Sequence, residues 1–412
     1  MIPQGYKYTE LGIIPQEWEV RRLGDLCHNN GVYGINAPAV EYSPSLPTYL
    51  RITDIDTEGR FTRQNISSVN HKDCELYLLA DGDIVFARTG ATVGKTYLYD
   101  SRDGDLVYAG FLIKFSPNQK LLIPYYLKTY TETSAYWNWV KVVSQRSGQP
   151  GINSTEYCNL QIPVPPVEEQ RKIAEILGVW DEAIELQARL VDKLELRKRA
   201  LMQRLLTGRL RLPGFSNPWQ KVKLGNICER VSRRNSINNK NIMTISAQKG
   251  FIAQTNFFSK TIASESLDNY YLVKRNEFCY NKSYSNGYPM GAIKRFKEAD
   301  WAVVTTLYIC FSVKENTNID FFEQICEYGG LNYGLTKVAN EGGRAHGLLN
   351  VTPSDFFNVK INIPSLAEQT AIAEVLSTAD KEIEIAKAKL AAYRTQKRGL
   401  MQQLLTGKKR VK

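Results

Sequence analysis

A short glycine-containing segment is the part of this sequence closest to a nucleotide-binding motif. Residues 90–96 place a glycine directly before Lys-Thr, as phosphate-binding loops do. That motif needs four residues between its glycines, whereas here there are three, and Thr89 stands where the first glycine belongs. Residues 93–99 also read as a strand, although the motif leads into a helix. We therefore predict a turn beside the basic Lys95 and no bound nucleotide.

Other signatures of catalysis or metal binding are missing from the sequence. We find no Asn-Pro-Pro-aromatic tetrad for adenine methylation, no glycine-rich cofactor loop after a strand and no acidic nuclease cluster. The seven cysteines are scattered without C-x-x-C spacing, and the three histidines lack a second ligand at motif spacing. The sequence predicts no metal site, no disulfide framework and no catalytic centre in this chain.

The charge of the chain favours a polyanionic partner. Lys and Arg number 53 against 42 Asp and Glu, giving a formal net charge of +11. Charge alone leaves a merely basic soluble protein as an equal alternative. No apolar run approaches the length of a membrane helix, and the polar N-terminal segment lacks a signal sequence. We expect a cytoplasmic protein with no membrane partner.

A long internal repeat organises the chain. Residues 162–211 and 361–410 align without a gap after their shared proline. Both contain Leu-Leu-Thr-Gly close to their ends, at 205–208 and 404–407. A repeat of this kind means that two copies of one unit make up the chain.

Each repeat carries a near-heptad apolar pattern with alternating steps of three and four, which favours coiled-coil packing. Lys198 and Lys397 occupy the same position in the two copies, where a polar residue usually fixes the register. The alternative is two amphipathic helices that pack separately on their own domains. The predicted seam consists of Ile173, Trp180, Ile184, Val191, Leu194, Leu201, Leu205, Ile372, Ile383, Leu390, Tyr393, Leu400 and Leu404.

A globular stretch precedes each predicted helix. Residues 18–27 parallel 219–228, while the interiors diverge around a shared skeleton of short apolar runs. We expect strands at 107–115 and 302–311 and a single helix over 124–142, with Trp137 and Trp139 in the core. The fold class is predicted as α+β: two globular α/β domains, two long helices in an antiparallel coiled coil, and a pseudo-two-fold repeat. The predicted boundaries are 1–166 and 209–365 for the domains, 167–208 and 366–407 for the helices, and 408–412 for a basic tail.

This arrangement resembles the specificity subunits of type I restriction–modification enzymes over essentially the whole chain. The entry phrases at 8–18 and 212–215 add to the resemblance. It implies a non-catalytic DNA-recognition subunit, in which each domain is a target-recognition domain for one half of a split, asymmetric site. The helices would act as a spacer and dock two methyltransferase (modification) subunits, with restriction subunits joining the full complex. S-adenosylmethionine, ATP and Mg would belong to those partner subunits, so no cofactor is expected in this chain.

The spacing of DNA agrees with this resemblance. A helix of about 40 residues spans roughly 60 Å, and one turn of DNA is about 34–36 Å. Two half-sites about one turn apart, or somewhat more, would be within reach. The resemblance also implies that the tail at 408–412 lies near the start of the first domain. A stand-alone DNA-binding or scaffold protein that merely uses a coiled coil remains the alternative.

Candidate DNA contacts lie in corresponding loops of the two domains. Base readout needs Arg, Lys, Asn, Gln, Ser or Thr at groove edges, and phosphate contacts need basic or hydroxyl groups. For each residue the alternative is a solvated loop side chain or a local turn partner. The candidates for double-stranded DNA are Arg88, Thr89, Lys95, Arg146, Ser147 and Gln149 in the first domain, and Asn281, Lys282, Ser283, Tyr284, Ser285, Arg344 and His346 in the second.

Overall fold

A computed structural model describes residues 2–254, 267–339, 347 and 349–411. Its contacts divide the chain into two units. Unit 1 comprises Met1–Gln187 with Lys389–Lys412, and unit 2 comprises Ala188–Ala388. Each unit is therefore assembled from segments that include parts of both repeats.

The described residues form short strands, short helices and two long helices. The strands are β1 Tyr6–Thr9, β2 Gly12–Pro15, β3 Glu19–Arg22, β4 Val32–Tyr33, β5 Ala39–Glu41, β6 Thr48–Leu50, β7 Ser67–Val69, β8 Ile84–Ala87, β9 Thr96–Leu98, β10 Leu106–Tyr108, β11 Leu112–Phe115, β12 Gln161–Val164, β13 Gln220–Lys223, β14 Cys228–Val231, β15 Met243–Ser246, β16 Gly250–Ala253, β17 Tyr271–Lys274, β18 Phe278–Asn281, β19 Ala292–Arg295, β20 Trp301–Val304, β21 Ile309–Val313 and β22 Lys360–Ile363. The helices are α1 Pro124–Tyr130, α2 Ser134–Val143, α3 Ser154–Cys158, α4 Val167–Leu205, α5 Leu224–Ile227, α6 Ile319–Tyr328, α7 Asn332–Val338, α8 Pro353–Asn358 and α9 Leu366–Leu404. Short 3-10 turns lie at Leu23–Leu26, Ile52–Asp54, Cys74–Tyr77, Gly90–Thr92 and Ser101–Asp103.

Each unit contains its own four-stranded antiparallel sheet of the same kind. Its strand order is β4-β11-β8-β9 in unit 1 and β14-β21-β18-β19 in unit 2. A two-stranded pair also recurs, β12 with β3 and β13 with β22, and joins the start of each domain to the strand before its long helix. The remaining sheets differ: β10 pairs with β6 in parallel, whereas β20 pairs with β17 antiparallel. A mixed α/β frame is thus repeated with a divergent interior.

The predicted strands at 107–115 and 302–311 were wrong in the same way. Each apolar run forms two strands, β10 and β11 or β20 and β21, that belong to different sheets. In unit 1 the break is a turn in which the Gly110 amide donates to the Ile35 carbonyl at 2.9 Å. An apolar run buried on both sides carries no periodicity to mark such a break.

The predicted helix over 124–142 is divided into α1 and α2. The Thr133 hydroxyl accepts a hydrogen bond from the Tyr136 amide and so caps the start of α2. Trp139 is partly buried against the core of unit 1 and stacks on Tyr136 with ring centroids 6.0 Å apart. Trp137 instead is 42% exposed, which contradicts its predicted core position. It lies on the outer side of α2.

Both long helices show ordinary start and stop signals. α4 carries Glu168 and Glu169 in its first turn and Arg204 in its last, which suits the helix dipole. Gly208 and Gly407 follow α4 and α9 with positive φ angles of 71° and 69°. Glycine adopts this left-handed conformation readily, so it ends a helix without steric cost.

The core of each unit includes the ends of both long helices. Unit 1 packs the start of α4, including Leu177, and the end of α9, including Met401, against Trp18. Unit 2 packs the end of α4, including Met202, and the start of α9, including Leu376, into its own core. The globular domains and the helices therefore share continuous apolar cores.

α4 and α9 also contact each other within each unit. In unit 1 the Trp180 and Tyr393 rings meet edge-on with centroids 5.7 Å apart. Lys397 Nζ lies 2.7 Å from Asp181 Oδ1 in unit 1, and Lys198 Nζ lies 2.5 Å from Asp380 Oδ1 in unit 2. None of the thirteen predicted seam residues is exposed. Within the described residues, no helix is long and apolar enough to cross a membrane.

Candidate nucleic-acid interface

The predicted DNA loops of unit 1 are brought together by backbone hydrogen bonds. Arg88 follows β8, and its amide donates to the Phe111 carbonyl at 3.0 Å. Its own carbonyl accepts from the Ile152 amide at 2.9 Å, and the Gly90 amide donates to the Pro150 carbonyl at 2.9 Å. The segment around Arg88 and Thr89 therefore lies beside the loop that carries Ser147 and Gln149.

The Arg88 side chain lies on an aromatic ring. Its Cζ is 4.9 Å from the centroid of Tyr33, and its buried Nε finds no hydrogen-bond partner in the described part of the chain. The Tyr33 hydroxyl accepts a hydrogen bond from the Ser154 amide at 3.1 Å, which holds the ring in place. Within the described residues we find no carboxylate paired with Arg88.

The glycine-containing turn packs against the core. Gly94 has a φ of 88°, and a Cβ there would lie 2.7 Å from Val140 on α2. The Gly94 carbonyl accepts a hydrogen bond from the buried Tyr136 hydroxyl at 2.7 Å, and Lys95 Nζ donates to the Ile55 carbonyl at 3.2 Å. Close packing thus accounts for the glycine, and the predicted strand at 93–99 is only the short β9.

Arg146 is already engaged with oxygens of the protein. Its guanidinium lies 2.5 Å from Glu156 Oε1 and donates to the carbonyls of Val143 and Gln145 at 2.8 and 2.9 Å. Glu156 also caps the start of α3 together with Asn153. Arg146 therefore joins the end of α2 to α3, while Ser147 and Gln149 remain exposed beside it.

Unit 2 repeats the same loop pairing with different side chains. The Lys282 carbonyl accepts from the Leu349 amide at 3.0 Å, as the Arg88 carbonyl does from Ile152. Lys282 Nζ lies 3.4 Å from the Val351 carbonyl, and burial lowers the pKa of this amine. Arg88 and Lys282 thus occupy equivalent places in the two units.

The other unit 2 candidates divide between turn formation and exposure. The Asn281 amide group donates to the Ile245 carbonyl at 3.2 Å and accepts from the Ser283 amide at 3.1 Å. Ser285 pairs with Tyr288 through its backbone, and Tyr284 is 61% exposed. Arg344 and His346 lie outside the described residues.

Sequence reasoning missed three residues at this interface. Phe111 and Leu307 lie in equivalent turns, between β10 and β11 and between β20 and β21, and are 57% and 61% exposed. Tyr33 lies on β4, which is far from Arg88 in the sequence but in the same sheet as β8, and it is 39% exposed. Treating each apolar run as one strand concealed the two turns, and no local signal marks Tyr33.

The ends of the long helices carry a second repeated arrangement. In unit 1, Glu169 accepts from Trp18 Nε1 at 3.0 Å and from Arg410 Nε at 2.7 Å. In unit 2, Glu368 accepts from Arg211 Nε at 2.6 Å. Burial alone would raise the pKa of Glu169, but the hydrogen bonds from Arg410 and Trp18 hold it below its usual value.

The C-terminal tail lies on the first domain. The Tyr6 hydroxyl donates to the Gly407 carbonyl at 2.9 Å, and Arg410 bridges Glu17 and Glu169. Arg410 in the tail therefore contacts Glu169 in unit 1 as Arg211, in the connection after α4, contacts Glu368 in unit 2. Among the described residues, no group of three or more His, Cys, Asp or Glu side chains is arranged to hold a metal ion.

Comparisons with known proteins agree with this repeated architecture. A family model described as the type I restriction modification DNA specificity domain matches residues 15–196 and 216–392. The putative type I restriction enzyme MjaX specificity subunit of Methanocaldococcus jannaschii is 26% identical over 99% of this chain and 97% of its own length. The MjaVIII specificity subunit of the same organism is 24% identical over 97% of this chain and 94% of its own.

The fold is also similar to a solved structure. The type I restriction–modification S subunit from M. genitalium superposes with a TM-score of 0.57 at 13% identity, covering 94% of this chain and 96% of that chain. At this identity the likeness concerns the fold alone.

Proposed function

This chain belongs to the type I restriction–modification DNA specificity family, and we propose on that premise that it reads a bipartite, asymmetric DNA site. It is a recognition subunit and not an enzyme, as its relatives are specificity subunits. Each unit would read one half-site.

The observation that carries this proposal is a shared backbone frame with different side chains. Ile152 fixes the carbonyl of Arg88 in unit 1, and Leu349 fixes that of Lys282 in unit 2. A guanidinium and an amine offer different donor geometries to base edges. Two half-sites of different sequence follow from one scaffold.

The two long helices are proposed to act as the spacer. Each has 39 residues and therefore extends about 58 Å. We take α4 and α9 as an antiparallel coiled coil with pseudo-two-fold symmetry. In unit 1 Asp181 pairs with Lys397, and in unit 2 Lys198 pairs with Asp380, so equivalent repeat residues exchange roles. This reciprocity supports the symmetry.

The helices also offer a surface for partner subunits. Val179 and Leu186 lie seven residues apart on α4, hence on the same face of that helix, and are 62% and 65% exposed. We propose that two methyltransferase subunits dock on the helices and that restriction subunits join the complete complex. These cytoplasmic partners would bind S-adenosylmethionine, ATP and Mg, with no cofactor held by this chain.

Reconstitution with the methyltransferase subunit tests the proposal. The chain is co-expressed with that subunit, purified as a complex and incubated with DNA and S-adenosylmethionine, and methylated sites are sequenced. We expect co-purification and a two-part methylated motif that disappears when this chain is omitted. Methylation by this chain alone would contradict the recognition role. DNA binding without co-purification would favour a stand-alone DNA-binding or scaffold protein.

A further inference from the structure

We propose that Arg88, held on the ring of Tyr33, contacts a guanine in the half-site read by unit 1. The inference rests on the proposed function and assigns a base to one residue of its recognition surface. Tyr33 acts as a positioning residue for this contact.

The backbone of Arg88 is fixed before any ligand arrives. Its amide donates to Phe111 at 3.0 Å, and its carbonyl accepts from Ile152 at 2.9 Å. A Cβ on Gly151 would lie 3.4 Å from the same carbonyl, so the two strands of backbone are in close contact. Because this backbone is already ordered, binding does not have to pay for ordering it.

The guanidinium of Arg88 is oriented but unpaired. Its Cζ lies 4.9 Å from the centroid of the Tyr33 ring, and its buried Nε has no hydrogen-bond partner among the residues that the structure describes. By contrast, Arg51 and Arg102 in the same unit pair with Asp54 and Asp100. The terminal amino groups of Arg88 are not among the buried atoms and make no hydrogen bond within the described part of the chain. They are therefore the donors that a ligand with hydrogen-bond acceptors can reach.

The surroundings suit a base edge. Phe111, whose carbonyl accepts from the Arg88 amide, is 57% exposed, and Tyr33, whose ring lies against the Arg88 guanidinium, is 39% exposed. Guanine presents two acceptors, O6 and N7, in the major groove, which match the paired donors of a guanidinium. Adenine presents one acceptor and one donor there, so it satisfies the guanidinium poorly.

The described residues of unit 2 do not repeat this arrangement at the equivalent position. Lys282 Nζ points to the Val351 carbonyl at 3.4 Å, and an amine lacks the planar fork of arginine. We therefore assign the guanine contact to the half-site of unit 1.

The test uses the reconstituted complex with a DNA library randomised across the half-site read by unit 1. We expect a guanine at one position in the wild-type motif. Arg88→Ala should reduce discrimination at that position about tenfold or more and leave the other half-site intact. Arg88→Lys should retain part of the preference. Tyr33→Leu should weaken the same preference, and Tyr33→Phe, which keeps the ring, should weaken it less.

Arg102→Ala is the matched control, because its guanidinium is already paired with Asp100. Intact reading of the other half-site shows that each variant is folded. A uniform loss across all sequences in Arg88→Ala, an unaltered motif or a motif without guanine overturns the inference. If the wild-type complex yields no two-part motif, the proposed function itself fails, so the two failures are distinct.

Discussion

Glu169 combines burial with a lowered pKa, and its stability contribution should depend on pH. Hydrogen bonds from Arg410 and Trp18 outweigh the effect of burial. A carboxyl whose pKa is lower in the folded than in the unfolded protein stabilises the folded state at pH values above the unfolded pKa, about 4.3. This contribution is lost as the pH falls through the folded pKa. Glu169→Gln should therefore cost about 2 kcal/mol at neutral pH and much less in acid.

Thermal unfolding between neutral and acidic pH measures this effect. Glu168→Gln is the control, because that neighbouring side chain is 80% exposed and lies 3.8 Å from Arg171. Equal pH slopes for wild type and Glu169→Gln would contradict the prediction.

Gly94 should tolerate no side chain. Its φ of 88° is strained for other residues, and a Cβ would lie 2.7 Å from Val140. Gly104 has a similar φ of 80° with nothing within 4 Å, so it isolates the backbone effect. We expect Gly94→Ala to destabilise by about 3 kcal/mol and Gly104→Ala by about 1 kcal/mol, as measured by denaturant unfolding. Equal losses would show that crowding by α2 plays no part.

Part of the candidate interface could be predicted from the sequence. Aligning the two repeats and their domains places Arg88 opposite Lys282, because both follow an equivalent strand. The engagement of Arg146 with Glu156 and the contact of Arg88 with Tyr33 could not be predicted. Both depend on tertiary contacts between segments that the local pattern does not relate.

At the scale of elements, the equivalent lysines of the two long helices, Lys397 and Lys198, differ in burial and in their carboxylate partners. Lys397 contacts both Asp181 and Glu132, at 2.7 and 3.0 Å, and its side chain is only 9% exposed. Among the described residues, Lys198 pairs with one carboxylate, that of Asp380, whose side chain is 38% exposed. Burial lowers the pKa of Lys397, but the two carboxylates outweigh it and raise the pKa overall.

Lys397→Met should therefore destabilise more than Lys198→Met. Removing Lys397 leaves the partly buried Asp181 without that counter-charge and leaves Glu132 paired with Lys128 alone, at a cost of about 3 kcal/mol. For Lys198 we expect about 1 kcal/mol. Denaturant unfolding compares the two variants, and adding Asp181→Asn to Lys397→Met should recover part of the loss, because it neutralises the carboxylate that lost its counter-charge. An equal loss at both lysines would refute the asymmetry.

The long helices were the elements most readily predicted, because the apolar period extends over many turns. The strands were not, since fully buried runs such as 107–115 carry no period and divide between two sheets.

At the scale of the whole molecule, helix length should set the gap in the recognised site. Deleting residues 186–192 and 385–391 removes one heptad from each helix and shortens it by about 10 Å. The gap between half-sites should then shorten by about three base pairs, since base pairs are about 3.4 Å apart. Sequencing of methylated sites measures the gap. A five-residue deletion, which rotates the helix faces by about 140°, is the control and should abolish methylation. An unaltered gap after the heptad deletion would exclude a spacer role.

The division into units could not be read from the linear order of the sequence. The repeat suggests domain, helix, domain and helix in succession. The contacts group Met1–Gln187 with Lys389–Lys412, because the end of α9 belongs to the same core as Trp18.

Each long helix begins in one unit and ends in the other, which has a thermodynamic consequence. If one unit melts, half of α4 and half of α9 lose the cores that bury them, and the remaining halves fray from a new free end. The folding free energies of the two units are therefore coupled. Calorimetry should show one cooperative transition, with equal calorimetric and van't Hoff enthalpies. A destabilising change in either half of the chain should then lower the melting temperature of the whole protein.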